Sequence, residues 1–284
     1  MTANAARAGK ITIGADLEVN RLGYGAMRLT GEGVWGPHPD HENAIAVLKK
    51  VIELGVDFID TANSYGPETN ESLIHEALYP YPEGLVIATK GGLTRSGPNK
   101  WERNGDPVHL REQCELSLQR LGLETIDLYQ LHAPDPEIPY AESVGALAEL
   151  QREGLIRHVG ISNVDSVQLE VALDVVDVVS VQNRFSISDR GSLEVLLACE
   201  RHGLAFLPWF PLVAGSLEED EVIDRIAARH DATRYQVAIA WLLQRSPVML
   251  PIPGTSSIAH LEENVAAGAI RLSEEEMLEL EAVA

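Results

Sequence analysis

A chain of 284 residues, 45% hydrophobic and 23% charged, has the makeup of a folded globular protein, not of a disordered or collagen-like one. Its formal charge of −21, from 43 Asp+Glu against 22 Lys+Arg, excludes a general nucleic-acid binder and a polybasic membrane-surface protein, since both need clustered cations. The length suits a single domain of the α/β barrel size.

Residues 1–9 are small and polar, lack the apolar core of a signal peptide, and are expected to be a flexible N-terminus. Residues 10–13 and 17–20 flank Gly14-Ala15-Asp16 and read as a short β-hairpin placed to plug the N-terminal mouth of a barrel. From residue 10 to 284 one domain is predicted. Apolar runs at 21–25, 56–60, 85–90, 126–131, 157–161, 178–182, 204–207 and 248–252 read as eight strands, the later seven the clearest, each covered on both faces. Helical patterns lie between and after them. The segment 41–53 puts Ile45, Leu48 and Ile52 on one face; 68–78, 110–121, 142–152, 166–173, 192–201, 220–228, 235–244 and 259–266 continue the series. The last, 273–283, opens on Ser273 with Glu276 three residues later, a capping box.

Eight strands alternating with helices predict an α/β fold, a (β/α)8 TIM barrel. The rival, a doubly wound sheet, normally brings G-x-G-x-x-G after its first strand. Gly23-Tyr24-Gly25-Ala26-Met27-Arg28 lacks the third glycine and is not followed at once by a helix. The stretch 204–215 is 12 residues long with two prolines, short of the ~20 apolar residues of a membrane span, so a cytoplasmic protein without a membrane partner is expected. Cys114 and Cys199 form no disulfide framework and no CxxC motif, and suit buried helix packing. Residues 31–39 and 91–105 are rich in Gly and Pro and read as long loops on the face where barrel enzymes keep their sites. Trp35 and Trp101, one in each, either wall a substrate pocket or anchor their own loops.

The strand ends carry the chemistry. Asp60, Lys90, His132 and Gln182 end four strands, Ser162 and Asn163 follow a fifth, and Tyr65 sits five residues after Asp60. Each alone has a structural explanation; together around one rim they form a proton-transfer set. Tyrosine titrates near ~10, and an adjacent ammonium lowers that value. A carboxylate keeps the ammonium charged and placed. Such a tyrosine is a general acid for an alkoxide forming on a carbonyl oxygen, and the histidine is able to hydrogen-bond the same oxygen.

Phe58-Ile59-Asp60-Thr61-Ala62-Asn63-Ser64-Tyr65-Gly66, Ala88-Thr89-Lys90, Leu131-His132-Ala133-Pro134, Gly160-Ile161-Ser162-Asn163 and Val181-Gln182-Asn183 resemble the aldo-keto reductase superfamily, in order, over nearly the whole chain. The resemblance implies a (β/α)8 barrel that reduces aldehydes and ketones with NADPH, sometimes NADH, needs no metal, and is by default a monomer. It implies a catalytic tetrad of Asp60, Tyr65, Lys90 and His132. It assigns Ser162, Asn163 and Gln182 to the nicotinamide carboxamide, whose donor and acceptor an amide matches. Trp209 takes the place of the ring stacked on the nicotinamide, beside Phe210 and Leu212. Gly215 and Ser216 fall in an implied pyrophosphate loop. Gly254, Thr255, Ser256, Ser257, His260, Glu263 and Asn264 match the adenosine end, with Asn264 at the adenine. The Thr-Ser-Ser run suits a 2′-phosphate at a helix N-terminus, a plain helix cap, or both. Gly25, Met27 and Asp60 complete the cofactor set.

Well-known members carry Lys and Arg where this chain has Gly254 and His260, so NADH stays open beside NADPH. Asn20 to Arg28, Val34-Trp35-Gly36-Pro37, Glu76 to Tyr81 and Ile252 to Asn264 resemble bacterial reductases grouped with pyridoxal reductases. That subgroup implies an aromatic aldehyde substrate such as pyridoxal, held by Met27, Trp35 and Trp101 with Tyr65 and His132. Two other functions stay in view: a redox-sensing auxiliary subunit, since such relatives keep the tetrad, and an alcohol dehydrogenase working in the oxidative direction.

Overall fold

The computed structural model describes residues 3–212 and 220–283. Its strands are β1 (Lys10–Ile13), β2 (Leu17–Asn20), β3 (Tyr24–Gly25), β4 (Phe58–Asp60), β5 (Val86–Gly91), β6 (Leu93–Gly97), β7 (Lys100–Arg103), β8 (Ile126–Leu131), β9 (Ile156–Ser162), β10 (Val178–Gln182) and β11 (Ala205–Phe206). The helices are α1 (His41–Glu53), α2 (Thr69–Leu78), α3 (Pro107–Leu121), α4 (Tyr140–Arg152), α5 (Ser166–Leu173), α6 (Leu193–His202), α7 (Glu221–Arg229), α8 (Arg234–Arg245), α9 (Ile258–Ala266) and α10 (Glu274–Glu281).

Seven strands form one parallel sheet in the order β11-β10-β9-β8-β5-β4-β3. The eighth stave, predicted as a strand at 248–252, is an extended segment without a regular ladder. Phe206 N–H donates to Val248 O (2.8 Å), Leu250 N–H to Phe206 O (2.9 Å), and Gly23 N–H to Pro251 O (2.9 Å), so the segment bridges β11 to β3 and closes the barrel. Pro251 and Pro253 have no N–H to give, which explains the broken ladder.

Side-chain alternation sorts each strand between two cores. Phe58, Val86, Ala88, Leu128, Val179, Ala205, Leu207 and Leu250 meet in one cluster inside the barrel. Their neighbours Ile59, Ile87, Tyr129 and Phe206 face outward, into the two clusters shared with the helices; in β10 a register break between Val178 and Ser180 lets both Val178 and Val181 face outward. Ile13, Leu17 and Val19 of the N-terminal hairpin belong to the inner cluster, so the hairpin does plug the barrel. Asp16 locks it there through Arg157 (2.5 Å) and His158 (2.6 Å) at the start of β9. Cys114 and Cys199 are buried helix residues, and burial pushes both thiols up to about 12. The capping box of α10 is formed as predicted.

Two expectations need correcting. Residues 1–9 were expected to be flexible, yet Ala5–Ala8 forms a 3-10 turn with Ala5 and Ala8 buried. Ala5 N–H donates to Leu54 O (2.9 Å) and Arg271 donates to Arg7 O (2.8 Å), contacts that small polar composition does not reveal. The stretch 91–105 is not simply a loop: β6 and β7 pair antiparallel within it, Leu93 opposite Arg103 and Arg95 opposite Trp101. The hairpin has no apolar alternation; β7 is exposed throughout and β6 is mostly half-buried. It is held instead by Arg95, whose guanidinium donates to Val34 O (2.7 Å), Gly33 O (2.7 Å), Ser64 O (3.1 Å) and Lys100 O (2.9 Å). Among the described residues no helix is long and apolar enough to cross a membrane.

Candidate active site

The inner face of the barrel changes character one layer above the apolar cluster. Two residues beyond Phe58, Ala88, Leu128 and Ser180 on the same faces stand Asp60, Lys90, Gln130 and Gln182. All four are buried. Gly160 leaves them room: a Cβ there would lie 2.5 Å from Ser180 Oγ and 2.8 Å from Gln130 Cγ.

Lys90 is fully buried and donates to Asp60 Oδ2 (2.6 Å) and Thr61 O (2.7 Å), with Tyr65 OH at 3.5 Å. Asp60 Oδ1 accepts from Gln182 Nε2 (2.7 Å) and Gln130 Nε2 (3.2 Å). Burial opposes the Lys90 ammonium, but Asp60 and Tyr65 together hold it above its ordinary value. His132, directly after β8, sets its ring 5.8 Å from that of Tyr65, and Trp101 stands 6.4 Å from both. Burial, with Lys90 and Arg95 nearby, pushes His132 well below its ordinary value, so the imidazole is neutral.

The Tyr65 phenol departs from expectation. Burial pushes it above its ordinary value; Lys90 pulls the other way, and Asp60 adds a smaller upward push. Burial outweighs the pull of Lys90, whose charge is also shared with Asp60 at 2.6 Å, so the resting phenol is not lowered overall. Tyr65 therefore stays protonated, and Lys90 is placed to stabilise the phenolate once the proton has left. The expected pH profile follows. kcat/KM for carbonyl reduction is flat through neutral pH and declines only on the alkaline side, above about pH 10, as Tyr65 loses its proton. A steady-state pH series checks it; an acid limb near the ordinary histidine value, absent in His132→Gln, would contradict the reading of His132.

Asp60, Tyr65, Trp101, His132 and Gln182 open into a cavity of about 920 Å³, with Lys90 and Gln130 buried behind its wall. Of the predicted residues, Gly25, Met27, Asp60, Tyr65, Trp101, His132, Ser162, Asn163, Gln182, Trp209, Phe210, Leu212, Gly254, Thr255, Ser256, His260, Glu263 and Asn264 line it. Trp35 does not. Its ring lies 5.9 Å from the Arg95 guanidinium carbon, so it anchors its loop against the β6–β7 hairpin. Ser257 does not line the cavity either: it is the N-cap of α9, accepting from His260 N–H. Gly215 and Ser216 lie outside the described residues.

Asn163 sits in the left-handed region (φ 58), which asparagine tolerates better than most residues. Its Nδ2 donates to His132 O (2.8 Å), and its Oδ1 accepts from Trp209 Nε1 (3.1 Å). Ser162 Oγ donates to Gln182 O (2.6 Å). At the other end, Gly254 and Gly25 let two backbones touch: a Cβ on Gly254 would lie 2.4 Å from Gly25 O, and one on Gly25 2.7 Å from Ile252 O. Tyr24 OH and Asn43 Nδ2 pin this segment through Thr255 O (2.6 Å) and Ser256 O (2.8 Å).

Several residues were not foreseen. Gln130 shares a face with His132 two positions on, and that parity was a readable signal. Arg28, Leu93, Arg103, Ala133, Pro211, Tyr235, Ile252 and Pro253 also line the cavity. None was given a role from the sequence; only folding brings them to the cavity.

Residues 21–284 match the model of the Aldo/keto reductase family. This chain belongs to that family. An uncharacterized oxidoreductase of Schizosaccharomyces pombe is 50% identical over 279 residues, 98% of this chain and 90% of that protein. Pyridoxine 4-dehydrogenase of Escherichia coli is 42% identical over 272 residues, covering 93% of this chain and 95% of that enzyme. An aldo-keto reductase from Klebsiella pneumoniae, solved in complex with NADPH, superposes with a TM-score of 0.81 at 26% identity, covering 100% of this chain and 95% of that one. The family member described here is an NAD(P)H-dependent oxidoreductase of carbonyl compounds with the (β/α)8 fold. Its cavity fits the cofactor: it has the volume for a dinucleotide, close backbone approach at Gly25 and Gly254, and the polar side chains of Ser162, Asn163 and Gln182 on its wall.

Proposed function

We propose that the protein reduces an aromatic aldehyde, pyridoxal or one of similar shape, to its alcohol, with Tyr65 as the general acid. The observation that carries this is the placement of the Tyr65 hydroxyl and the His132 ring on one wall, backed by the buried Lys90–Asp60 pair. A bound nicotinamide supplies the hydride. Ser162, Asn163 and Gln182 would hold its carboxamide end, with Trp209, Phe210 and Leu212 on the same cavity wall. Gly254, Thr255, Ser256, His260, Glu263 and Asn264 hold the adenosine end. His132, neutral, hydrogen-bonds the carbonyl oxygen and orients it. Tyr65 gives that oxygen its proton as negative charge develops, Lys90 stabilises the resulting phenolate, and Asp60 keeps Lys90 charged and fixed. Met27 and Trp101 form the apolar side of the substrate space.

The substrate class rests on Trp101 beside the tetrad and on a relative named for pyridoxine, an aromatic alcohol. The proposal includes a monomer that works in the cytoplasm. The direction follows the cellular cofactor ratio, so oxidation of the alcohol is the same chemistry reversed. The test is NADPH consumption by the purified protein with pyridoxal, run beside NADH. Turnover with NADPH, and more slowly with NADH, is expected. Tight NADPH binding with no turnover of pyridoxal or any aromatic aldehyde would sink the substrate reading and favour a cofactor-sensing role.

A further inference from the structure

Resting on that reading, we infer that Arg103 selects aromatic carbonyl substrates carrying an anionic oxygen group, a carboxylate or a phosphate ester, because it lines the cavity from the strand that carries Trp101. Arg103 lines the cavity with Leu93 and Trp101. Leu93 is its cross-strand partner, and Trp101 stands two residues before it on the same face of β7. The next residue, Asn104, donates its N–H to Gly92 O (3.0 Å). Gly92 abuts the catalytic wall: a Cβ there would lie 3.7 Å from His132 N. The backbone next to Arg103 is thus held at the carbonyl end, with its side chain exposed, whereas Arg28 lines the same cavity against Gly254 at the adenosine end.

The neighbouring arginine does not compete for this task. Arg95 lies 3.6 Å over the Trp101 ring, but its nitrogens are committed to backbone carbonyls. Arg103 makes no hydrogen bond or ion pair among the described residues, and its neighbour Glu102 is engaged by Ser96 (2.6 Å). In a chain of net charge −21 the long-range field repels anions, so a local cation decides whether one settles beside Tyr65. A guanidinium pairs with carboxylate or phosphate through two parallel bonds, while Trp101 walls the ring.

The experiment compares kcat/KM for 4-formylbenzoate and 4-formylbenzamide, which match in shape and differ in charge, and for pyridoxal 5′-phosphate and pyridoxal, under saturating NADPH. The wild type is expected to favour the charged member of at least one pair about tenfold, mainly through KM. Preference confined to the first pair identifies a carboxylate; preference confined to the second identifies a phosphate ester. Arg103→Gln should bring the ratio to one or below, and Arg103→Lys should retain part of it. In the wild type the ratio should shrink as salt rises. That series needs no variant, so it decides the matter even if Arg103→Gln fails to fold. Charged-to-neutral ratios at or below one in both pairs, with the aldehydes still reduced, would overturn the role of Arg103 and leave the reductase reading standing. Failure to reduce any of the four would bring down that reading and this inference together.

Discussion

Tyr65→Phe should lower kcat about a thousandfold or more while leaving NADPH affinity within about threefold of wild type, a loss within the range one general acid contributes. The substitution removes one oxygen and little else. The ring keeps its edge contacts with Trp101 at 6.4 Å and His132 at 5.8 Å, and its place 5.1 Å from the Lys90 ammonium. Lys90 retains Asp60 and Thr61 O as acceptors, so no buried charge is orphaned. His132 is no substitute acid: burial and two nearby cations hold it neutral, and a neutral imidazole is a weak proton donor at physiological pH. Stopped-flow single turnover separates chemistry from product release, and fluorescence titration follows NADPH. A variant that reduces aldehyde within tenfold of wild type would remove Tyr65 from the proton-transfer role.

The rim was legible because barrel geometry converts a strand position into a place on one rim. Asp60, Lys90 and Gln182 lie at or next to strand ends, and His132 directly follows one, so apolar runs sufficed to bring these four together; Tyr65, in a loop, was marked by the family resemblance. Gln130 obeys the same parity but carries no motif, so its bond to Asp60 surfaced only in three dimensions. The β6–β7 hairpin left no trace in hydropathy because it is tied down by one guanidinium and backbone carbonyls instead of apolar burial. That blind spot matters most at the site, since the hairpin contributes Trp101 and Arg103 to the cavity. Trp35 illustrates the converse: a tryptophan in a loop beside the site turned out to anchor the loop. The direction of the Tyr65 shift was also beyond the sequence, because a Tyr–Lys neighbour pair specifies neither burial nor how fully Asp60 already matches the lysine.

Lys90→Met should destabilise the fold by about 3–5 kcal/mol and abolish measurable turnover, the size seen when one partner of a buried ion pair is removed. The ammonium is fully buried and its carboxylate is 3% exposed, so solvent screens neither. Losing Lys90 leaves Asp60 a buried carboxylate with two amide donors, Gln130 and Gln182, and no counter-ion. Those amides soften the loss and place the cost toward the lower end of the range. Asp60→Asn combined with Lys90→Met removes both charges, and an amide at position 60 still accepts from Gln182. The double variant should therefore recover most of the lost stability, to within about 1–2 kcal/mol of wild type, since an ion pair replaced by neutral groups of similar volume is often nearly neutral. It should recover no activity, because the phenolate of Tyr65 would form with no ammonium beside it. Urea midpoints at constant slope measure the two stability changes. Equal stability of Lys90→Met and wild type would show that Asp60 is satisfied without the pair. Activity restored in the double variant would show that the pair serves the fold and not the proton transfer.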